Sequence, residues 1–305
     1  MGILIESVAV RRARRGPLAP GALPLIDAAA RACLEGAHRR ADELDLLVNA
    51  GLYKDKNIWE PAMASLIQED IGANLGHPSR RGHHGTFSFD ATNGGCGVLT
   101  GLHIIDTFVG SGAARLGMVV AGDSDPAPRI SRDFPFPPVA GAVLLRHCDN
   151  GEGFAGFEFR TFPEHSALFE VRVNFDPAGN RGLFGHSGRN ILEVHEDPRF
   201  AALCVQRATE VTVAFLDRAK LRVDDVDVLV ASPYPPGFAG DLARAVGVAA
   251  DRVPELPPEL ASAHTAGPIA ALQAAVESGR FARARNVLFV TAGAGITIAV
   301  AHYRR

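Results

Sequence analysis

Arg40-Ala-Asp-Glu-Leu-Asp-Leu-Leu-Val-Asn-Ala-Gly51 starts polar and turns abruptly apolar. That is the pattern of a helix exit feeding a buried strand. Arg222-Val-Asp-Asp-Val-Asp-Val-Leu-Val-Ala-Ser-Pro233 repeats it almost residue for residue. A second echo joins Ser111-Gly-Ala-Ala-Arg-Leu-Gly-Met-Val-Val-Ala-Gly122 to Arg280-Phe-Ala-Arg-Ala-Arg-Asn-Val-Leu-Phe-Val-Thr-Ala-Gly293. In each, a helix ends near a glycine and a basic turn leads into a buried strand. Strands and helices alternate in both halves, which predicts a layered α/β architecture built by duplication, with a site where the halves meet.

Working outward, strands are predicted near residues 3–10, 44–50, 86–91, 115–122 and 141–147, then near 154–162, 168–173, 226–232, 286–292 and 296–303. Helices are predicted near 24–38, 60–72, 96–110, 200–220, 237–247 and 267–279. The boundary between halves is placed at 1–150 and 151–305. The segment 124–140 holds five prolines and reads as mostly irregular. The segment 174–199, rich in Gly, Asn and His, reads as a loop excursion.

A chain of 305 residues, 47% apolar and 21% charged, is ample for a large core. A net charge of −3 carries no argument for nucleic acid. No stretch of about 18 uncharged apolar residues occurs, and Glu6, Arg11 and Arg12 follow the apolar start too soon for a signal peptide. The expectation is a cytoplasmic protein that does not enter the membrane. Cys33, Cys96, Cys148 and Cys204 form no C-x-x-C pair, so neither a disulfide framework nor a zinc site is expected. Three of the four read as small buried apolar residues.

The fourth is Cys96. In Phe87-Ser-Phe-Asp-Ala-Thr-Asn-Gly-Gly-Cys-Gly97 a strand ends near Asp90, a glycine-rich turn follows, and an apolar helix begins. A cysteine in the first helical turn meets unpaired N–H groups and the positive end of the dipole, which favour a thiolate. The glycines would let a ligand and backbone donors approach. The pattern fits a nucleophile elbow, or else a packed cysteine covered by the helix.

Asp90-x-x-Asn93-Gly-x-Cys96-Gly97 before an apolar helix resembles the active-site segment of 3-oxoacyl-ACP synthase III and its natural-product relatives, of the thiolase superfamily. The resemblance spans nearly the whole chain. Glu60-Pro-Ala-Met-Ala-Ser-Leu-Ile-Gln68 looks like the helix before the nucleophile strand, and Pro138-Val-Ala-Gly-Ala-Val-Leu-Leu145 like the closing strand of the first half. Gly293-Ala-Gly-Ile-Thr297 looks like the C-terminal glycine turn. It implies a thiolase fold, two βαβαβαββ halves in an α/β/α/β/α arrangement. It also implies a homodimer paired through the strand near 86–91, with no tightly bound cofactor and no metal. The implied activity is acyl transfer: Cys96 takes an acyl group from acyl-CoA or acyl carrier protein, a phosphopantetheine-linked donor, and passes it to an acceptor. Decarboxylative condensation with a malonyl thioester is one alternative. A non-catalytic, synthase-like partner subunit is another.

Two departures stand out. The family's cysteine follows the strand-end Asp by five residues, whereas Cys96 follows Asp90 by six and Gly95 holds the fifth place. Either the turn carries an extra residue, or the nucleophile is lost and Cys96 points elsewhere. The family's His, expected after Val226–Ala231, is replaced by Ser232, and His264 stands where its Asn is expected. The implied constellation is Cys96, His264 and Ser232. The backbone N–H of Cys96 and the Gly293–Gly295 turn would form the oxyanion hole. His264 would act as base toward the thiol, or else only cap the following helix. Ser232 would orient the ring or an acceptor, or only shape a turn.

The remaining histidines, including His83 and His84, show no metal spacing. Gly185-His-Ser-Gly-Arg-Asn190 resembles a phosphate loop without the flanking strand and helix. The basic runs Arg11–Arg15 and Arg80-Arg81 fit a solvated face, or attraction for a phosphate or an acidic carrier.

Overall fold

The structure is a computed structural model that describes residues 2–16, 18–76, 85–126, 134–176, 181–182, 185–186 and 189–305. The first half runs β1 (Gly2–Arg12), α1 (Ala22–Gly36), β2 (Leu46–Asn49), α2 (Met63–Ile71), β3 (Phe87–Asp90), α3 (Gly97–Gly110), β4 (Leu116–Asp123) and β5 (Val139–Cys148). The second runs β6 (Gly153–His165), β7 (Phe169–Asp176), β8 (Arg181–Gly182), β9 (Gly185–His186), β10 (Arg189–Glu196), α4 (Phe200–Ala219), β11 (Val228–Ala231), α5 (Phe238–Val246), α6 (Gly267–Glu277), α7 (Arg280–Arg283), β12 (Asn286–Gly293) and β13 (Gly295–Arg304).

Two mixed sheets carry the halves, in the orders β1-β5-β4-β2-β3 and β11-β12-β13-β6. Their central strands are apolar on both faces because each face meets a helical layer. On β4, Met118 and Val120 join α1 and α2, while Val119 and Ala121 turn to α3 and α6. On β13, Ile298 and Val300 face α4 and α5, while Ala299 and Ala301 face the same two central helices. Five layers result, α/β/α/β/α, with α3 and α6 sandwiched between the sheets. This is the thiolase fold that the sequence resembles.

The repeated aspartates of the two echoes have one job. Asp45 accepts hydrogen bonds from the N–H groups of Arg115 (2.7 Å) and Leu116 (3.2 Å), where β4 starts. Asp227 does the same for Arg285 (2.7 Å) and Asn286 (2.9 Å), where β12 starts. Aspartates also satisfy helix starts from a distance. Asp55 takes the N–H groups of Ala22 and Leu23 on α1, and Asp90 those of Met63 and Ala64 on α2.

The excursion over 174–199 is not all loop. β7 and β10 pair antiparallel from Phe169↔Glu196 to Asp176↔Arg189, and the short β8 and β9 pair beyond them. Glycine and asparagine counts hid the alternation of Leu192, Glu193, Val194 and His195, which is a strand pattern.

Candidate active site

Cys96 sits where the sequence puts it, at the last residue of a one-turn 3-10 helix, Gly94–Cys96, leading straight into α3. Its thiol is not a thiolate. The residue is fully buried, and Sγ donates to the Thr297 carbonyl at 3.2 Å and the Thr291 carbonyl at 3.6 Å, on β13 and β12. Burial pushes the thiol up to about 12, and the hydrogen bond at Thr291 recovers only part of that. The expected pull of the helix dipole therefore loses to desolvation and to two carbonyl acceptors. The Cys96 N–H is engaged as well. It donates to the Asn93 carbonyl at 2.9 Å, closing the 3-10 turn, so it does not stand free as the oxyanion donor expected of it.

Gly95 explains the one-residue offset. A Cβ built there would come 2.2 Å from the Ala292 carbonyl oxygen, so no side chain fits at the fifth place after Asp90. The glycine turn at the end of β12 causes the crowding. A Cβ on Gly293 would lie 3.3 Å from the Gly95 nitrogen and 3.5 Å from that of Cys96. Gly293 thus lets the two turns press together. Gly295, at φ +127°, occupies backbone space that other residues rarely adopt.

His264 is 3% exposed, and its ring is caged by aromatic groups. It stacks on Phe136, with centroids 4.6 Å apart and planes at 16°. Tyr234 meets it edge-on at 5.3 Å, and Phe169 lies at 5.8 Å. Nδ1 shares a hydrogen bond of 2.9 Å with the Tyr53 hydroxyl. Burial drives the imidazole down to about 3, so it is neutral across the physiological range. The ring does not cap α6. That task belongs to Asp123, fully buried at the end of β4, which accepts from the N–H groups of His264 (2.8 Å), Thr265 (2.9 Å) and Ala266 (3.2 Å) and from the Thr265 hydroxyl (2.6 Å). Burial outweighs these four donors and raises the Asp123 carboxyl to about 6.

Ser232 is buried, but its hydroxyl donates to the Tyr234 carbonyl at 3.1 Å, two residues on. That is turn chemistry, and it corrects the expectation that Ser232 orients the imidazole. Tyr53, Asp123, Tyr234 and Glu196, whose carboxylate receives the Tyr234 hydroxyl, escaped the sequence reading. The available signal was Asp123-Ser-Asp125 directly after a predicted strand, a polar cluster where helix starts converge. Cys96, His264 and Ser232 make no hydrogen bonds with one another. They converge by elements rather than by contact: Cys96 precedes α3 against the end of β12, and His264 precedes α6 against the end of β4.

The remaining sequence candidates lie apart. His83, His84, Arg80 and Arg81 fall outside the described residues. Gly185 lies in β9 and Asn190 in β10, not at a strand-to-helix turn, and Ser187 and Gly188 fall outside the described residues. Among the described residues no three His, Cys, Asp or Glu side chains gather to hold a metal, and no helix is long and apolar enough to cross a membrane.

Comparison with known proteins agrees with this geometry. The family model for the C-terminal part of 3-oxoacyl-[acyl-carrier-protein] synthase III matches residues 216–305. The chain is 28% identical over 278 residues to beta-ketoacyl-[acyl-carrier-protein] synthase III 3 of Streptomyces coelicolor, covering 88% of this chain and 78% of the relative. It is 27% identical over 284 residues to the synthase III of Novosphingobium aromaticivorans, covering 88% and 79%. Among solved structures it matches 3-oxoacyl-[acyl-carrier-protein] synthase III of Aquifex aeolicus with TM-score 0.79 at 18% identity, over 100% of both chains. It matches OleA of Xanthomonas campestris with TM-score 0.78 at 15% identity, over 100% of this chain and 99% of that one. At those identities the structural matches speak for the fold alone. The sequence matches, the glycine-rich cysteine turn and the five-layer duplication converge on one likeness: the chain is similar to 3-oxoacyl-ACP synthase III over most of its length and shares its fold.

Proposed function

We propose that the chain is an acyltransferase of the 3-oxoacyl-ACP synthase III type, in which Cys96 carries the acyl group. One observation carries the reading: the cysteine and the histidine head the two helices of the central layer, each against the end of the other half's central strand. For acylation, Sγ leaves the Thr297 carbonyl by rotation about one bond and attacks the thioester carbonyl carbon. Its proton passes to His264. The bond to the donor's sulfur breaks, and His264 returns the proton to the departing thiolate. Tyr53 tethers the ring at Nδ1, and with Nδ1–H as the donor in that bond Nε2 is the acceptor for the thiol proton; burial, which lowers the imidazole to about 3, weakens it as a base.

Simple transfer to a hydroxyl, amine or thiol fits better than decarboxylative condensation. An enolate needs strong donors aimed at its oxygen. His264 is neutral, and Ser232 is committed to the Tyr234 carbonyl. The donor is an acyl group on CoA or a carrier protein. A cavity of about 700 Å³ supports a phosphate-bearing donor; it lies between Arg12, Arg14 and Arg15 on one side and Pro258–Ser262 on the other, two residues short of His264. The assembly is a homodimer through β3, which among the described residues is an edge strand paired to β2, with Phe87 57% exposed.

Incubation with a panel of acyl-CoA donors followed by intact-mass measurement should show one acyl adduct on Cys96. Feeding that acyl-enzyme a radiolabelled malonyl thioester should release little carbon dioxide. Release matching acyl-enzyme turnover, with a 3-oxoacyl product, would replace transfer by condensation. One observation favours a second reading, a non-catalytic synthase-like subunit: the Cys96 thiol is wholly buried and faces two carbonyls. Absence of any adduct across the panel, with the protein folded, would establish that reading.

A further inference from the structure

Val287-Leu-Phe-Val-Thr-Ala292 places one hydroxyl in an otherwise apolar run of β12. Alternate residues of a strand share a face. Leu288, Val290 and Ala292 turn to the outer core with α4 and α5, while Val287 and Phe289 join the central core that holds Cys96. By that alternation Thr291 lies on the Cys96 face. It is fully buried, yet its hydroxyl has no hydrogen-bond partner among the described residues. A valine would suit such a place better, because an unpaired buried hydroxyl is destabilising.

The same residue already touches the candidate nucleophile. Its carbonyl accepts from Cys96 Sγ at 3.6 Å, beside the Thr297 carbonyl at 3.2 Å. Those two acceptors suit S–H and disfavour S⁻. Burial raises the thiol, and two groups pull it back: the Thr291 side chain first, then the backbone of Ala299, which faces Thr291 across the β12–β13 ladder. The hydroxyl therefore stands near enough to act on the sulfur, but is not paired with it while the thiol keeps its proton. A neutral thiol is a weak acceptor and a thiolate a strong one. A donor that is idle at rest and engaged once charge forms stabilises the transition state more than the resting site.

We propose that the Thr291 hydroxyl is the hydrogen-bond donor that holds the Cys96 sulfur as it becomes a thiolate. The inference rests on the reading of Cys96 as the nucleophile. Its test needs no acyl transfer. Methyl methanethiosulfonate is attacked by a thiolate at its sulfenyl sulfur; an S–S bond forms, methanesulfinate leaves, and the cysteine gains a methylthio group. The rate is followed at one fixed pH by intact mass, with peptide mapping to Cys96, on the full chain of wild type, Thr291→Val and Thr291→Ser. Thr291→Val should slow modification of Cys96 by about 10–100-fold, the worth of one hydrogen bond to a charged group. Thr291→Ser keeps the hydroxyl and should stay within about threefold of wild type. Melting should rank the variants the other way: Thr291→Val at or above wild type, because it removes an unpaired buried hydroxyl, and Thr291→Ser below it, because the lost methyl leaves a cavity. A packing role alone cannot give those opposite orders. Thr291→Val reacting as fast as wild type, both variants slowing in step with lost stability, or a wild-type Cys96 that is never modified would overturn the proposal. A wild type whose modification depends on the hydroxyl, yet which no acyl-CoA acylates, would keep the donor and remove the transfer reading. Acylation at equal rates in wild type and Thr291→Val would keep the transfer reading and remove the donor.

Discussion

The starts of α3 and α6 occupy equivalent places in the duplicated halves and are finished in opposite ways. At α6 the end of the facing strand supplies a side chain: Asp123 satisfies three backbone N–H groups and the Thr265 hydroxyl, and the turn is locked. At α3 the end of the facing strand is Gly293, which supplies none, and the helix has no side-chain cap. The first end fixes a neutral histidine in an aromatic cage; the second leaves helix N–H groups and a thiol beside a glycine turn. The two halves give similar frames, finished by a carboxylate in one and a glycine in the other; on the proposed reading the first is the positioning end and the second the reacting end.

The sharpest way to break this contrast is to remove the reacting end. Cys96→Ala should abolish the acyl adduct in intact-mass spectra without loss of fold. An adduct that survives, or that maps to Cys33, Cys148 or Cys204, would move the chemistry elsewhere. Next in size is the base. His264→Ala should slow acylation by about 10²–10⁴-fold in single-turnover assays, the usual worth of general acid–base catalysis. A variant that melts early but acylates normally would make His264 a packing residue. The pH profile adds a check with a clear sign. With proton transfer to the neutral imidazole, acylation should stay flat between about pH 5 and 9. A tenfold rise per pH unit would instead report a thiol of pKa about 12 ionising unaided.

The locked end can be tested through stability. Asp123→Ala leaves three buried N–H groups without an acceptor and should cost about 2–4 kcal/mol by chemical denaturation, with Asp123→Asn losing less. The smallest expected effect is a pH slope. The Asp123 carboxyl is raised to about 6, so its contribution is full near pH 4 and falls as pH rises through 6. His264 is lowered to about 3, so its contribution is full above 6.5 and falls as pH drops toward 3. Between about pH 4 and 6 the two slopes oppose each other. Asp123→Asn should therefore unmask an acid-side loss of up to ~1.4 kcal/mol per pH unit that wild type does not show. Parallel wild-type and variant curves would refute the assignment of these two groups.

Much of this protein is legible in its sequence, because local rules and tertiary demands agree there. The repeated Arg40–Gly51 and Arg222–Pro233 segments announce the duplication, and Asp45 and Asp227 recur because each must satisfy the start of a neighbouring strand. The apolar strands of both halves follow from burial on two faces, and the placement of Cys96 at a helix start follows from a strand, a glycine turn and an apolar run. What the tertiary structure alone decided are the directions of side chains. Sequence cannot say that Sγ of Cys96 faces Thr297, because that carbonyl lies 201 residues away and is brought there by β13. Nor can it say that Asp123 caps a helix that begins 144 positions later, or that Tyr53 holds His264 from the other half. Helix and strand are written in neighbours a few residues apart, whereas the protonation state of a thiol or an imidazole is set by the water it loses and the partners it gains when distant segments close around it.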